Sequence, residues 1–340
     1  MKKLLVFGVI VLFLSVSVIP SIGTTDVKQI TTPATSGNTL YVGGSGEGNY
    51  TKIQDALDNA SNGDTVFVYD NSSPYYEHVR VKKSINLIGE NRNTTVVDGT
   101  GCGIVVVLYA DWVNISGFTI RNGEEMGICI SSNYNTISGN DIHLCNNWGI
   151  NLYRSSNNVI SGNDIHLCND CGITIGDSNN NTITGNNISN NLFSIILEGS
   201  NNNIIKGNIL TSNNYAGIDL GGSHNNTISG NIIINNYFGI DLHSYSNYNN
   251  ITNNNIQNNE IFGLFLSYAN YNVIESNNFI GNKIQASFIF SKKNNWDENY
   301  WDNWIGFKIK LPIFPKVIIG FIGINFDWHP AQELYDIPSA

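Results

Sequence analysis

Two aspartates one repeat apart are the first residues of this chain that could do chemistry. Asp219 sits in Gly217-Ile-Asp-Leu220 and Asp241 in Gly239-Ile-Asp-Leu242, with His243 following the second. If the repeat stacks, the two carboxylates occupy the same outward position of consecutive rungs. Acid–base cleavage of glycosides uses two carboxyl groups roughly 5 to 9.5 Å apart, and neighbouring rungs supply the near end of that range. Asp141 and Asp164 form another such pair. Asn151 and Thr174 fill the equivalent place of Asp219 in other rungs, so the column also reads as an exposed ladder on which Asp and Asn interchange. A β-elimination would need a strong base beside a cation or basic cluster to hold an acidic sugar. Arg154 is the only arginine inside the regular rungs, and no such cluster accompanies it.

A second column has metal-ligand character. Asn140-Asp-Ile-His-Leu-Cys-Asn146 recurs as Asn163-Asp-Ile-His-Leu-Cys-Asn169, followed by Asp170-Cys171. Stacking at this spacing sets His143 beside His166 and Cys145 beside Cys168, with Cys171 completing a Cys-x-x-Cys. Imidazole and thiolate together suit Cu(I) or Zn. The same residues are compatible with a duplicated rung of inert thiols, since Cys145 and Cys168 stand where a later rung has Asn213. They are also compatible with a Cys145–Cys168 disulfide, which export would favour. A third group is aromatic: Trp296, Trp301 and Trp304 lie close together near the end of the repeats. They are either a sugar-stacking platform or a C-terminal cap. Asp327-Trp328-His329 reads as packing rather than as a site.

The element that must position these residues is a repeat. Asn-x-Ile-x-Gly-Asn-x-Ile returns every 22 or 23 residues from Asn135, and a second phrase of the type Gly172-Ile-Thr-Ile175 keeps step with it. A fixed period of this length marks a solenoid, whose repeats bury their apolar faces only by stacking. Alternation within each short run places Ile137, Ile142 and Leu144 on one side and Ser138, Asp141 and His143 on the other. The expected fold is therefore all-β: a right-handed, single-stranded parallel β-helix of nine or ten rungs, on the order of 45 Å long. Asn140, Asn163, Asn186, Asn208 and Asn231 are expected to stack at a bend and satisfy one another, which accounts for the asparagine excess without a ligand.

The remaining segments frame that solenoid. Residues 1–23 combine Lys2 and Lys3, an apolar run and Ser21-Ile22-Gly23, the pattern of a secretory signal peptide. Residues 24–39 read as a flexible leader, and 40–83 as an N-terminal cap with the first rungs. Within that cap Ile53, Ala56, Leu57 and Ala60 recur at helical spacing, and Thr51 precedes them as an N-cap candidate. Residues 84–304 carry the repeats, and 305–340 form a C-terminal cap or tail. The apolar run Val317 to Ile324 is too short to span a bilayer, so membrane contact is expected only through an uncleaved signal segment. The net charge of −10 becomes about −12 once the two signal lysines are gone, which disfavours nucleic acid as a partner. Asn49, Asn59, Asn71, Asn93, Asn114, Asn180, Asn187, Asn225 and Asn250 begin Asn-x-Ser/Thr triplets, which are glycan acceptors in an exported protein.

Four stretches together resemble the NosD-like family of secreted right-handed β-helix proteins, within the pectin-lyase-like, CASH-domain group. They are Tyr41-Val-Gly-Gly-Ser-Gly-Glu-Gly-Asn-Tyr-Thr-Lys-Ile-Gln-Asp-Ala56, Ser84-Ile-Asn-Leu-Ile-Gly-Glu-Asn91, the Asn-x-Ile-x-Gly-Asn rungs, and Asn299-Tyr-Trp-Asp302. The likeness spans about residues 40–304 and is similar to archaeal cell-surface members. It implies the β-helix fold and a secreted or cell-surface location. Through the family's named member, a periplasmic factor in copper supply to nitrous oxide reductase, it also implies copper as a cofactor. The chain departs from the family after Asn299-Tyr-Trp-Asp302, where Lys308-Ile-Lys-Leu-Pro-Ile-Phe-Pro315 replaces an Asp/Gly-rich tail.

The reading at this stage is a secreted or cell-surface β-helix that binds an extracellular polysaccharide or envelope glycan in a structural or adhesive role. Two alternatives stand beside it. One is a polysaccharide hydrolase or lyase using Asp219 and Asp241. The other is a metal-delivery protein using His143, His166, Cys145, Cys168 and Cys171.

Overall fold

In a computed structural model, residues 37–304 and 315–338 are described. The expected signal segment, residues 24–36 of the leader and most of the departing Lys308–Pro315 stretch lie outside them. The described chain winds as a right-handed parallel β-solenoid. Each coil contributes one strand to each of three parallel sheets, of 12, 11 and 10 strands. One coil runs Thr182–Thr184 in the first sheet, Asn187–Ser189 in the second and Phe193–Glu198 in the third. The first sheet begins at Thr39–Val42, before the repeated phrase starts, so the stack is longer than the phrase alone indicates. Pairing is in register throughout: Ile137 meets Ile160, which meets Ile183. These isoleucines are fully buried, each worth about 1.5–3 kcal/mol of apolar burial, and none has an apolar partner outside the stack.

The bends are built by a backbone device repeated at each corner. A residue in the left-handed region is followed by a residue whose side chain turns into the core. Gly139, Gly162, Gly185 and Gly207 take φ near +63° before Asn140, Asn163, Asn186 and Asn208. Asn208 shows what each asparagine does. Its Oδ1 accepts from the backbone N–H and the Nδ2 of Asn186, both at 3.0 Å. Its Nδ2 donates to the carbonyls of Ile183 (3.0 Å) and Lys206 (3.2 Å) and to Asn231 Oδ1 (3.0 Å). The expected ladder is present, and two further asparagine columns (through Asn158 and Asn213) and a serine column (Ser155, Ser178, Ser200, Ser223) do the same work at the other corners. Unpaired backbone groups at a buried bend are costly, and these columns satisfy them.

The same device overturns one expectation from simple alternation. Leu144 and Leu167 take φ of 56° and 57°. That single left-handed residue reverses the parity of the chain, so both leucines are exposed while Cys145 and Cys168 point into the core. His143 and Cys145 are two residues apart in sequence yet face opposite sides of the wall.

At the N-terminal end, helix Ile53–Asn59 buries Ile53, Ala56 and Leu57, as the spacing predicts. Its N-terminus is not capped by Thr51. The backbone N–H groups of Ile53 and Gln54 donate to the two carboxylate oxygens of Glu77, at 2.8 and 3.0 Å. At the C-terminal end, an antiparallel hairpin (Lys316–Ile319 with Ile324–Asp327) brings Asp327 to the last asparagine of a ladder. Asp327 Oδ2 accepts from Asn299 N (3.0 Å), Asn299 Nδ2 (3.1 Å) and Trp301 Nε1 (2.9 Å). No helix among the described residues is long and apolar enough to cross a membrane.

Candidate functional site

The ten-stranded third sheet carries the clearest constellation. Its strands follow the pattern X-Gly-Ile-X-Leu-X, and the glycine is a steric requirement. A Cβ on Gly217 would stand 2.5 Å from Ile233 Cγ2 and 2.7 Å from the Gly239 carbonyl oxygen. The strand Ala216–Gly221 pairs with Phe238–His243, setting Asp219 opposite Asp241 and Leu220 opposite Leu242. The two aspartates face outward, as the sequence indicates, but they are not an exposed ladder: Asp219 is 7% and Asp241 8% accessible.

Neighbouring side chains account for that burial. In register along the sheet, Ile196 lies beside Asp219 and Phe265 beside Asp241, Tyr215 is near enough for both carboxyls to act on its phenol, and His243 bonds Asp219. His243 lies across Gly221, where a Cβ would come within 2.9 Å of the imidazole, and its Nε2 reaches Asp219 Oδ1 at 3.0 Å. Its Nδ1 is 2.9 Å from Ser244 Oγ. Asp241 Oδ1 has no hydrogen-bond partner.

The two carboxyls therefore sit in different environments. Burial, then the charge of Asp219, pushes the Asp241 carboxyl up to about 7, against a smaller opposing pull from His243. The hydrogen bond to Asp219 raises the His243 imidazole above its ordinary value. Burial, then Asp241 and Asp219, raises the Tyr215 phenol. This arrangement can hold a proton on Asp241 near neutral pH while Asp219 is engaged by the His243 imidazole.

Aromatic side chains flank this floor at both ends of the strands. On the approaching turn, Phe193 and Tyr215 (4.9 Å) and Tyr215 and Tyr237 (5.9 Å, stacked) form a row across consecutive coils. On the departing turn, Tyr245, Tyr268 and Phe290 form another, with centroids 5.9 and 5.0 Å apart. Tyr215, Tyr237, Tyr245, Tyr268 and Phe290 are all exposed. These tyrosines were open to detection by the same one-period reading that isolates the aspartates.

On the second sheet, strands Asp141–His143 and Asp164–His166 bring two histidines together. Their rings stack at 4.9 Å. Asp141 Oδ1 lies 3.0 Å from His143 Nδ1 and 3.2 Å from His166 Nε2, and one ligand atom from each of the three residues lies within 4.8 Å of the others. Burial opposes ionisation of Asp141, but the two histidines outweigh it and hold the carboxyl below its usual range.

The five-residue His/Cys set expected from the sequence is not brought together. Cys145 and Cys168 are inside the core and Cys171 is buried on the third sheet. All five cysteines are free, so Cys145 and Cys168 are not a disulfide. A hydrogen bond from the Cys168 thiol to Cys145, with burial, raises Cys168 well above its ordinary value and lowers Cys145, while burial raises Cys171. Enclosed in the core on the far side of the wall from the imidazoles, Cys145 and Cys168 are not placed to share an ion with His143 and His166. The resemblance implies copper, and the donor set that fits an ion is Asp141, His143 and His166, which suits a divalent ion better than Cu(I).

The tryptophan cluster is resolved as packing for two of its members. Trp301 stacks on Phe279 at 4.4 Å and is 2% accessible, and Trp296 is 3% accessible. Neither presents a ring face to a sugar. Trp304 is half-buried against the same core. The exposed aromatic rows belong to the third sheet instead.

Comparison with known proteins agrees with this architecture. The family model described as periplasmic copper-binding protein (NosD) matches residues 169–308, and the model of the right-handed β-helix region matches residues 84–213. No curated protein sequence matches the chain. Among solved structures, the Dettilon tailspike protein superposes with a TM-score of 0.64 at 16% identity, over 77% of this chain and 62% of the tailspike. Pectate lyase Pel9A gives 0.54 at 14% identity, over 80% of this chain and 81% of the lyase. The A-module of an Azotobacter vinelandii mannuronan C-5 epimerase gives 0.54 at 14%, over 73% and 88%. At these identities the likeness is one of fold.

Proposed function

We propose that this NosD-like right-handed β-helix is an extracytoplasmic protein that binds an extended polysaccharide across the outer face of its third sheet. The observation that carries the reading is the pair of exposed aromatic rows, Tyr215/Tyr237 and Tyr245/Tyr268/Phe290, on either side of the Asp219/Asp241 floor. Rows repeating at the coil spacing suit a polymer better than a small molecule, because each ring offers one weak stacking contact with a sugar face. Between the rows, Asp219 and Asp241 offer hydrogen-bond acceptors for hydroxyls, with Ile196 and Phe265 as their apolar register neighbours. The periplasmic character of the NosD family supports the location, and the likeness in fold to a pectate lyase and a mannuronan C-5 epimerase supports a carbohydrate partner.

The test is affinity electrophoresis of the protein lacking residues 1–23 in gels containing xylan, mannan, galactan, β-glucan, polygalacturonate or alginate. Retardation by at least one polymer is expected, and Tyr245→Ala with Tyr268→Ala should weaken it about tenfold, at about 0.5–1.5 kcal/mol per ring. Unretarded migration in every gel would overturn the reading.

A second reading is favoured by one observation, the Asp141/His143/His166 cluster: the second sheet holds a divalent copper or zinc ion. One equivalent of Cu(II) or Zn(II) should survive dialysis in the wild type and in Cys145→Ser, and be lost in His143→Ala and His166→Ala. A metal-free wild type, or metal retained by both histidine variants, would reject it.

A further inference from the structure

We infer that Asp241 and Asp219 are the acid and the nucleophile of a retaining glycosidase acting on an uncharged polysaccharide. This rests on the reading that a glycan lies over the third sheet. Three geometric observations carry it. The two residues are register partners on adjacent parallel strands, which run about 4.8 Å apart. That spacing is near the roughly 5–5.5 Å carboxyl separation of retaining enzymes and short of the roughly 6.5–9.5 Å of inverting ones. The two residues are only 7% and 8% accessible, yet the buried Asp241 Oδ1 has no partner within the protein. Such an orphaned buried oxygen is expensive to keep, and a ligand atom would satisfy it. Finally, His243 Nε2 holds one oxygen of Asp219 at 3.0 Å, fixing that carboxylate in place.

The electrostatics divide the roles. Asp241 retains its proton up to about 7 because of burial and the neighbouring Asp219 charge. The facing titratable groups are Asp219, His243, Tyr215, Glu198 and Cys171. With Asp241 protonated, Asp219 attacks the anomeric carbon while Asp241 gives its proton to the departing glycosidic oxygen. The carbon–oxygen bond breaks, and a glycosyl ester forms on Asp219. Water, losing a proton to the now ionised Asp241, then cleaves that ester. The second step restores both carboxyls, and the net reaction consumes only water.

The substrate class follows from the same groups. Asp219, Asp241 and Glu198 are acidic, and among the described residues His243 is the only basic group acting on Asp241. Arg154, on the turn after a strand three removed from that of Asp219 in this sheet, lies 3.7 Å from Asp177. A uronic acid polymer would meet more acidic than basic groups here, whereas a neutral, hydroxyl-rich chain carries no charge to be repelled.

The experiment combines binding and cleavage on one set of polymers. Xylan, mannan, galactan and β-glucan serve as neutral probes, with polygalacturonate and alginate as anionic ones. Retardation in gels, new reducing ends and the anomer first released (by proton NMR) are measured for wild type, Asp219→Asn, Asp241→Asn and His243→Gln. Cleavage of a neutral polymer with retention is expected. Both Asp→Asn variants should lose about 100-fold or more in rate while keeping the wild-type circular dichroism spectrum and still being retarded by the polymer, which the aromatic rows continue to hold. His243→Gln, a positioning change, should shift the pH profile without abolishing cleavage. A polymer that binds but yields no reducing ends overturns this inference and leaves the glycan reading standing. No binding to any polymer overturns both. Inversion, or cleavage confined to the anionic polymers, overturns the roles or the substrate class assigned here.

Discussion

Replacing Asp219 with asparagine should lower the titration point of Asp241, and the size of the fall can be worked from the structure. Asp241 stands at about 7 against an ordinary 3.8, a rise worth about 4 kcal/mol. Burial is its largest cause and the Asp219 charge the next. Two charges about 5 Å apart at an effective dielectric of about 20 repel by about 3 kcal/mol. Part of that is cancelled by the His243 cation beside Asp219, which itself loses its partner in the variant. A fall of about one pH unit is therefore expected, with burial holding Asp241 above 5. Carbon-13 NMR of protein labelled at the aspartate carboxyl carbons reads this directly, with Asp241→Asn assigning the resonance.

The sign of the linked stability effect is also determined. A carboxyl whose folded-state pKa lies above its unfolded value stabilises the fold fully only below pH of about 4, and that contribution is lost as pH rises through about 7. Wild type should thus lose up to about 4 kcal/mol between pH 4 and 9 at this position, and Asp241→Asn should remove the loss. An Asp241 resonance titrating near 4 in wild type, or one unmoved by Asp219→Asn, would refute the reasoning.

Other consequences follow from the ladders and the thiols. Asn208→Ala leaves the buried Asn186 N–H without its acceptor and removes one hydrogen bond from each of the Ile183 and Lys206 carbonyls, so a loss of about 3 kcal/mol is expected in urea unfolding; a loss below about 1 kcal/mol would show the ladder to be dispensable. In the native protein a thiol reagent should modify exposed Cys102 quickly and Cys145, Cys168 and Cys171 only after unfolding. An intact mass two daltons below that of the five-thiol chain would contradict the free state of these cysteines. Acrylamide should quench exposed Trp328 but not Trp296 or Trp301, and efficient quenching in single-tryptophan variants retaining either of the latter would reverse the assignment of both to packing.

The β-helix was legible because its cause is local and periodic. The Asn-x-Ile-x-Gly-Asn phrase specifies the inward isoleucine, the left-handed glycine and the inward asparagine in one stretch of six residues, and the same rule applies coil after coil. The column pairing of Asp219 with Asp241 and of His143 with His166 was legible for the same reason, since in-register stacking turns one period into one contact. What escaped was depth and parity. A left-handed residue at Leu144 sends His143 outward and Cys145 inward, and ordinary leucine gives no sign of that backbone state in the way that glycine does at the preceding bend. The burial of Asp219 and Asp241 depends on Ile196 and Phe265 on the neighbouring coils and on Tyr215 and His243. Asp141 was visible as a carboxylate but not as the group bridging both imidazoles, because that geometry requires the rings to stack first.

The central claim is that a glycan lies across the outer face of the third sheet, over Asp219 and Asp241 and between the two tyrosine rows. The most direct measurement is a crystal structure of Asp241→Asn with an oligosaccharide of whichever polymer retards the protein. Sugar rings stacked on Tyr215, Tyr237, Tyr245 or Tyr268, with a glycosidic oxygen within hydrogen-bonding distance of residue 241, are predicted. An oligosaccharide ordered only on another face, such as the one bearing His143 and His166, would contradict the account.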